Sequence, residues 1–201
     1  ENRESRPFGY TSSDSEPIFG YMGKRYIKIY RPFSEVRFLY GGMIGESYCF
    51  GLEQLPSKED TLFITGGEKD VMTLAAHGFH AICFNSETST ISPEIIYKLT
   101  FRFKHIVLLY DVDKTGREAA LRHEKALAEY DVKRLILPLS GDKKDKDVTD
   151  YFHKGNGHKE FQKLFIDLLD NLYNETMTML KSCEIDFNNP PAKAEEVISA
   201  G

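Results

Sequence analysis

The spacing of hydrophobic residues divides the chain near Pro56. Before this point, short alternating segments such as residues 25–30 and 37–42 predict strands joined by turns, and the second segment ends in two glycines. After it, short runs of consecutive apolar residues alternate with amphipathic segments. Strands without alternation, separated by helices, are typical of a parallel sheet that is buried on both faces. The pattern therefore predicts an α/β fold preceded by a small strand-rich region.

The α/β part has clear individual elements. Strands are predicted over residues 61–65, 80–84, 105–113 and 132–138, and helices over 69–78, 92–99 and 116–131. Ser92 and Pro93 mark one helix start, because serine caps helix N-termini and proline fits the first helical position. Apolar residues at helical spacing from Phe161 to Leu172 predict a long amphipathic helix that reaches about Lys181.

These elements suggest a division into five regions. They are a flexible lead-in at 1–17, a strand-rich basic subdomain at 18–57, an α/β domain at 58–155, a C-terminal helix at 156–183 and a linker at 184–201. Pro190 and Pro191 are typical of a linker to a further domain. The chain does not begin with methionine, which favours a piece of a longer protein.

Composition narrows the class of protein. No apolar run approaches the roughly 20 residues that a membrane span needs, so no membrane partner is expected. Cys49, Cys83 and Cys183 are scattered and odd in number, which argues against a disulfide framework or zinc ribbon and favours a reducing, cytoplasmic location. The net charge of −5 argues against a uniformly basic nucleic-acid coat, although a local basic patch can still bind nucleic acid.

Acidic residues follow three of the predicted strands. They are Glu68 and Asp70 after the first strand, Asp111 and Asp113 at the end of the third, and Asp147 and Asp150 after the fourth. The carboxyl ends of parallel strands meet at one edge of a sheet, where ligands gather. Because residues i and i+2 of a strand face the same side, Asp111 and Asp113 are expected to offer oxygens to one cation. Carboxylates without nearby His or Cys suit Mg²⁺ or Mn²⁺.

Part of this pattern also resembles phosphatases of the haloacid dehalogenase type. Residues 108–116 resemble their D-x-D-x-T signature, and residues 141–147 resemble a later acidic motif. That resemblance implies that Asp111 is a nucleophile and Asp113 an acid/base. The family places further strands, a Ser/Thr and a Lys between the two motifs, whereas only one helix and one strand intervene here, and Glu68 would have no role. We therefore reject this alternative.

A fuller resemblance is to the Toprim domain shared by bacterial-type primases, topoisomerases and some nucleases. It extends over about residues 61–152. The segment ITGGEKDVMTL (64–74) resembles the first Toprim motif, LLYDVDKTGREAA (108–120) resembles the D-x-D strand and the helix start after it, and KDVTDYF (146–152) resembles the third acidic element. The fold expected is a Toprim-like parallel sheet flanked by helices.

The resemblance implies roles for the acidic residues. It makes Glu68 the catalytic glutamate, and it makes Asp111, Asp113 and Asp147 ligands of one or two divalent ions, with Asp70 and Asp150 as possible additional acids. The two glycines at 66 and 67 would let the backbone bend sharply so that Glu68 points into the metal site.

The preceding region resembles a narrower group. Residues 26–42 and 48–56 are similar to the segment before Toprim in phage-type primases and primase-helicases, where basic residues of a small strand-rich subdomain face the catalytic centre. The resemblance implies that Lys28, Arg31 and Arg37 bind nucleotide phosphates or the template backbone, and it places residues 85–89, with Asn85 as a candidate, in a loop that lines the nucleotide site. Lys69, Lys114 and Arg117 flank the acidic residues and are expected to meet triphosphate oxygens.

The function implied is metal-dependent synthesis of short RNA primers on single-stranded DNA from nucleoside triphosphates, with a helicase domain as the C-terminal partner. Two features of such proteins are missing from the sequence, a zinc ribbon and a Walker A loop. Two alternatives stay open. The chain could belong to a nuclease or topoisomerase that cleaves DNA, or it could be a module that binds metal and nucleic acid without catalysis.

Overall fold

Two compact units make up the chain, residues 1–156 and residues 157–201. The structure, a computed structural model, describes residues 9–42 and 48–182. The predicted linker at 184–201, Cys183 and the first half of the predicted lead-in lie outside the described residues. The five predicted region boundaries therefore stay a prediction.

The N-terminal sheet is small and antiparallel. Its strands are β1 (Phe19–Met22), β2 (Tyr26–Tyr30) and β3 (Phe38–Gly42), in the order β1-β2-β3. The two alternating segments predicted as strands are confirmed as β2 and β3. Lys28 lies at the centre of β2, paired with Tyr21 on one side and Tyr40 on the other, and it is the buried position of that strand.

The second sheet is parallel and forms the core. Its strands are β4 (Glu59–Thr65), β5 (Ala81–Cys83), β6 (Phe103–Leu109) and β7 (Lys133–Arg134), in the order β5-β4-β6-β7. Leu62, Ile64 and Leu108 on the two central strands are completely buried, as their lack of alternation predicts. The expected fold, a helix-flanked parallel sheet preceded by a small strand-rich subdomain, is confirmed.

The helices are α1 (Glu68–Ala76), α2 (Pro93–Thr100), α3 (Lys114–Ala126), α4 (Val148–His153) and α5 (His158–Ser182). Short 3-10 turns occupy Leu52–Gln54 and Ala128–Tyr130. The first four helices belong to the first unit, and α5 belongs to the second. Within the described ranges, no helix combines the length and the apolar character that crossing a membrane would require.

The structure differs from the sequence-based expectation at three places. Strand β6 ends at Leu109, so Asp111 and Asp113 lie in the bend after it. The predicted strand at 132–138 keeps only the two residues of β7, because the chain leaves the edge of the sheet once the Leu135 N–H has bonded to the Leu108 carbonyl. Helix α4 was not predicted, because the charged run before it is typical of a loop.

Candidate metal centre

Three carboxylates from separate elements meet beyond the carboxyl ends of β4 and β6. Asp70 lies in the first turn of α1, Asp111 follows β6, and Asp147 precedes α4. One oxygen of each lies within 4.8 Å of an oxygen of the other two. An all-oxygen, negatively charged donor set of this size fits a hard divalent cation such as Mg²⁺ or Mn²⁺.

Asp70 is buried and held in one orientation. The Thr149 hydroxyl donates to Asp70 Oδ1 at 2.8 Å, and the Thr149 and Thr73 hydroxyls lie 2.9 Å apart. These bonds join α1 to α4 beside the carboxylates. Burial, together with the charge of nearby Asp147, raises the pKa of Asp70 to about 7. A cation bound there would favour the charged form again.

Asp147 is positioned by the start of α4. Its Oδ1 accepts the Asp150 N–H at 2.9 Å, while Asp150 Oδ2 accepts the backbone N–H groups of Lys146 and Asp147 at 2.9 and 3.4 Å. This reciprocal arrangement is a capping box. Asp150, predicted as a possible additional acid, lies outside the carboxylate group and contacts the backbone of its neighbours instead.

Asp113 also lies outside the group of three. Its Oδ1 accepts the Gly116 N–H at 3.0 Å and so caps α3, and this hydrogen bond is the main cause of the lowered pKa of Asp113. Gly116 permits the close approach, because a Cβ at this position would lie 2.1 Å from the Asp111 carbonyl oxygen. The role of Asp113 as a metal ligand stays a prediction. The carboxylates that lie within 4.8 Å of one another include Asp70 instead.

Two lysines neutralise the carboxylates. Lys146 Nζ lies 2.6 Å from Asp111 Oδ2 and 2.8 Å from Asp113 Oδ2, so its ammonium group bridges these two acids. Desolvation would lower the pKa of Lys146, but its bonds to both carboxylates outweigh this effect and raise it. Lys69, predicted as a binding residue, lies 2.7 Å from Asp147 Oδ2. Lys146 was missed because it occurs in a charged run typical of a surface loop.

Glu68 lies in a separate, buried arrangement. Its Oε1 accepts hydrogen bonds from Lys28 Nζ at 2.8 Å and from the Tyr48 hydroxyl at 2.5 Å. Lys28 is 3% exposed and also donates to the Asn85 carbonyl at 2.9 Å. The pair therefore joins the antiparallel sheet to the start of α1. The catalytic role of Glu68 and the phosphate-binding role of Lys28 stay predictions.

A further carboxylate, Glu87, lies beside the three. Burial raises its pKa to about 7, and the charges of Asp111 and Asp113 add to this effect. Its Oε2 is inaccessible to solvent and has no hydrogen-bond partner among the described residues. One feature of the sequence pointed to this residue, its place in the loop after β5, which the Toprim resemblance associates with the nucleotide site.

The other predicted binding residues are dispersed. The Arg31 guanidinium lies over the Tyr10 ring at 4.4 Å, and that of Arg37 lies over the Tyr30 ring at 5.6 Å. Lys114 is exposed on α3 and lies 3.9 Å from a neighbouring glutamate. Arg117 Nε donates to the Val112 carbonyl at 2.6 Å. The structure does not bring these four side chains together.

Asn85 borders an open cleft. The cleft has a volume of about 570 Å³ and is lined by Tyr48, Phe84, Asn85 and residues 89–93. Tyr40 donates from its hydroxyl to Asn85 Oδ1 at 3.2 Å. A volume of this size suits a small ligand such as a nucleotide. The buried pair of Lys28 and Glu68 contacts both Tyr48 and Asn85 and so lies beside this cleft.

Comparison with known proteins identifies the domain that carries these residues. Residues 63–152 match the sequence model of a family described as Toprim-like. This part of the chain is similar to Toprim-like domains. The matched range includes all three carboxylates of the metal centre together with Glu68 and Glu87. The resemblance inferred from the three acidic motifs is confirmed.

One curated relative names an activity. A DNA primase of Legionella pneumophila is 28% identical to the chain over 158 residues, which cover 73% of the chain and 25% of the relative. The chain therefore spans about a quarter of that protein's length. The similarity is therefore to part of a DNA primase.

Solved structures share the Toprim-like fold. The E. coli primase catalytic core matches with a TM-score of 0.58 at 20% identity, covering 92% of this chain and 62% of that one. The primase fragment of the bacteriophage T7 primase-helicase protein matches at 0.54 and 19%, covering 74% and 62%. A DnaG primase catalytic domain bound to single-stranded DNA matches at 0.59 and 18%, covering 78% and 57%.

Proposed function

We propose that this chain is the catalytic part of a DNA primase, which synthesises short RNA primers on single-stranded DNA from nucleoside triphosphates. The observation that carries the proposal is the convergence of Asp70, Asp111 and Asp147 within 4.8 Å inside a Toprim-like domain. The relative named as a DNA primase supports this reaction over DNA cleavage.

The chemistry needs positioning and charge neutralisation more than covalent catalysis. Primer synthesis joins a 3′-hydroxyl oxygen to the α-phosphate of an incoming nucleoside triphosphate, which breaks the bond from that phosphate to the β-phosphate, releases pyrophosphate and frees the hydroxyl proton. Mg²⁺ or Mn²⁺ bound by the three carboxylates would supply positive charge at the attacking and leaving oxygens. Thr149 holds Asp70 in the orientation required for binding, and the capping box does the same for Asp147. Preorganised groups of this kind avoid reorganisation during the reaction.

The flanking groups have distinct proposed roles. Lys69 and Lys146 lie against the carboxylates and are placed to bind triphosphate oxygens. The cleft beside Asn85 is the proposed nucleotide site, and Arg31 and Arg37 on the N-terminal subdomain are the proposed template contacts. Glu68 is proposed as the catalytic glutamate, which acts from its hydrogen-bonded pair with Lys28.

A helicase is the proposed functional partner. The support is the fold shared with the primase fragment of the T7 primase-helicase protein. A second similar structure comes from a complex of T7 lagging-strand DNA polymerase with primase domains bound to an RNA/DNA hybrid. The matched chain of that complex has a TM-score of 0.55 to this chain. We accordingly propose a role in DNA replication with single-stranded DNA as template.

The test is incorporation of labelled ribonucleotides on single-stranded DNA templates in the presence of Mn²⁺. Wild-type protein is expected to make short products, and Asp111→Asn is expected to make none, because it removes one charged ligand from the cation site. The matched control is Asp60→Asn, whose exposed carboxylate pairs with Lys104 at the opposite end of the sheet. This control should retain full activity.

Each other outcome identifies a different function. Shortened DNA without ribonucleotide products would show a nuclease. Binding of single-stranded DNA that weakens steeply with salt, without any product, would show a binding module. Products from Asp111→Asn equal to those of the wild type would remove Asp111 from the catalytic site.

A further inference from the structure

The loop after β5 places a carboxylate, Glu87, beside the metal centre without an ion pair to any described residue. Glu87 Oε2 is inaccessible to solvent and accepts no hydrogen bond from any described residue. The nearby ammonium groups are engaged elsewhere, Lys146 with Asp111 and Asp113, and Lys69 with Asp147. A charged carboxylate oxygen removed from water without a partner is costly, so the side chain is either protonated or compensated by a cationic ligand.

Gly66 shows where this oxygen lies. A Cβ placed on Gly66 would be 3.3 Å from Glu87 Oε2 and 3.6 Å from Asp111 Oδ1. The two carboxylate oxygens therefore border the same small space above Gly66. Asp111 uses its other oxygen, Oδ2, for the ion pair with Lys146, which leaves Oδ1 directed at the space it shares with Glu87.

This geometry depends on the absence of a side chain at Gly66. Gly66 lies directly after β4 in the first motif, where any other residue would place its Cβ close to both oxygens. Because a contact of 3.3 Å is tighter than ordinary van der Waals packing, such a Cβ would displace the Glu87 carboxylate by a few tenths of an ångström. Glycine keeps the space open for a small ligand.

We propose that Glu87 is a fourth carboxylate of the metal centre and binds, together with Asp111, a divalent cation of the Mg²⁺ or Mn²⁺ class in the space above Gly66. The inference rests on the proposed function, whose cation site it extends from three carboxylates to four. Glu87 thereby provides an oxygen ligand from the loop after β5, an element that supplies none of the other three carboxylates.

The first test measures Mn²⁺ binding directly, by electron paramagnetic resonance of the free ion. Glu87→Gln keeps the shape of the side chain and removes its charge. It is expected to weaken Mn²⁺ binding by roughly 10- to 100-fold, the range typical even of outer-sphere partners of metal sites, or to abolish one of two bound ions. Glu94→Gln, an exposed carboxylate in the first turn of α2, is the matched control and should bind like the wild type.

The second test uses Gly66→Ala, alone and combined with Glu87→Gln. The alanine methyl group should weaken Mn²⁺ binding by displacing the Glu87 carboxylate. In the Glu87→Gln background it should have little further effect, because the ligand that it displaces is already removed. Additive effects of the two substitutions would contradict a shared action on one carboxylate.

The outcomes separate this inference from the proposed function. If Glu87→Gln binds Mn²⁺ like the wild type while Asp111→Asn loses binding, the fourth ligand is wrong and the three-carboxylate site stands. If Glu87→Gln weakens binding but the wild type makes no primers, the inference stands and the primase reaction is wrong. Absence of Mn²⁺ binding by the wild type would overturn both.

Discussion

Lys28 and Glu68 form a buried ion pair between the antiparallel sheet and the start of α1. Both side chains are about 95% buried, and their 2.8 Å ion pair is supported by the Tyr48 hydroxyl and the Asn85 carbonyl. A buried ion pair of this kind contributes little net stability over an apolar pair, yet the loss of one partner leaves an uncompensated charge. The contact therefore specifies how the N-terminal strands dock on the Toprim-like domain.

Lys28→Met is expected to destabilise the protein by about 3–5 kcal/mol, because it leaves the Glu68 carboxylate buried without its cation. The measurement is urea unfolding followed by circular dichroism. Combining it with Glu68→Gln should recover a large part of the loss. Lys24→Met, which removes an exposed lysine 3.7 Å from Glu53, is the control and should change stability by less than about 1 kcal/mol. A loss for Lys28→Met as small as that of the control would contradict the docking role.

At the scale of single elements, α4 is the helix on which the metal centre depends most. It has only six residues, too few to be stable without support. The capping box at its start and the Thr149 hydroxyl bonds to α1 provide that support. The same bonds place Asp147 and orient Asp70, so the stability of α4 and the geometry of the metal centre are linked.

Asp150→Ala tests this link, because it removes half of the capping box without touching the three carboxylates. We expect a stability loss of about 1 kcal/mol and Mn²⁺ binding weakened by roughly 10-fold, as for other outer-sphere partners. Asp150→Glu, which retains a carboxylate suited to the box, should preserve most of the affinity. Asp170→Ala in α5 is the surface control.

A different result would assign Asp150 a different role. If Asp150→Ala weakens Mn²⁺ binding as strongly as Asp147→Ala, Asp150 is itself a ligand. If neither Mn²⁺ binding nor stability changes, the capping box does not position Asp147.

For the whole molecule, the distribution of charge matters more than its sum. The chain carries a net charge of −5, yet the N-terminal subdomain has Arg31 and Arg37 stacked on aromatic rings. The acidic groups gather instead at the carboxyl ends of β4 and β6. If this subdomain contacts the template, binding of single-stranded DNA should depend on these two arginines despite the negative net charge of the chain.

The double variant Arg31→Gln/Arg37→Gln is expected to bind single-stranded DNA more weakly and with less dependence on salt. The slope of log K against log salt should become shallower by about 0.7 for each phosphate that the protein no longer neutralises. Fluorescence anisotropy of a labelled oligonucleotide over a series of salt concentrations measures this slope. Lys104→Gln, at the start of β6 and away from the acidic site, is the control. An unchanged slope in the double variant would place the template elsewhere.

Much of the fold and part of the site could be predicted from the sequence. The parallel sheet, its helices and the acids after its strands follow from local patterns, since burial on two faces selects consecutive apolar residues. The expectation that Asp111 and Asp113 bind one metal cation stays a prediction, but its premise, that both residues belong to a strand, was wrong. The strand ends at Leu109, and Lys146 is the cation that bridges them.

The sequence by itself determined the Toprim-like fold, because hydrophobic spacing and strand-end motifs are properties of neighbouring residues. Only the tertiary structure decided which side chains meet. Thr149 reaches Asp70 across 79 positions, and Lys28 reaches Glu68 across 40. Such contacts depend on how helices and sheets pack, and spacing along the chain carries no information about them. Tertiary packing likewise brings Asp70 together with Asp111 and Asp147, and it places Glu87 beside Gly66.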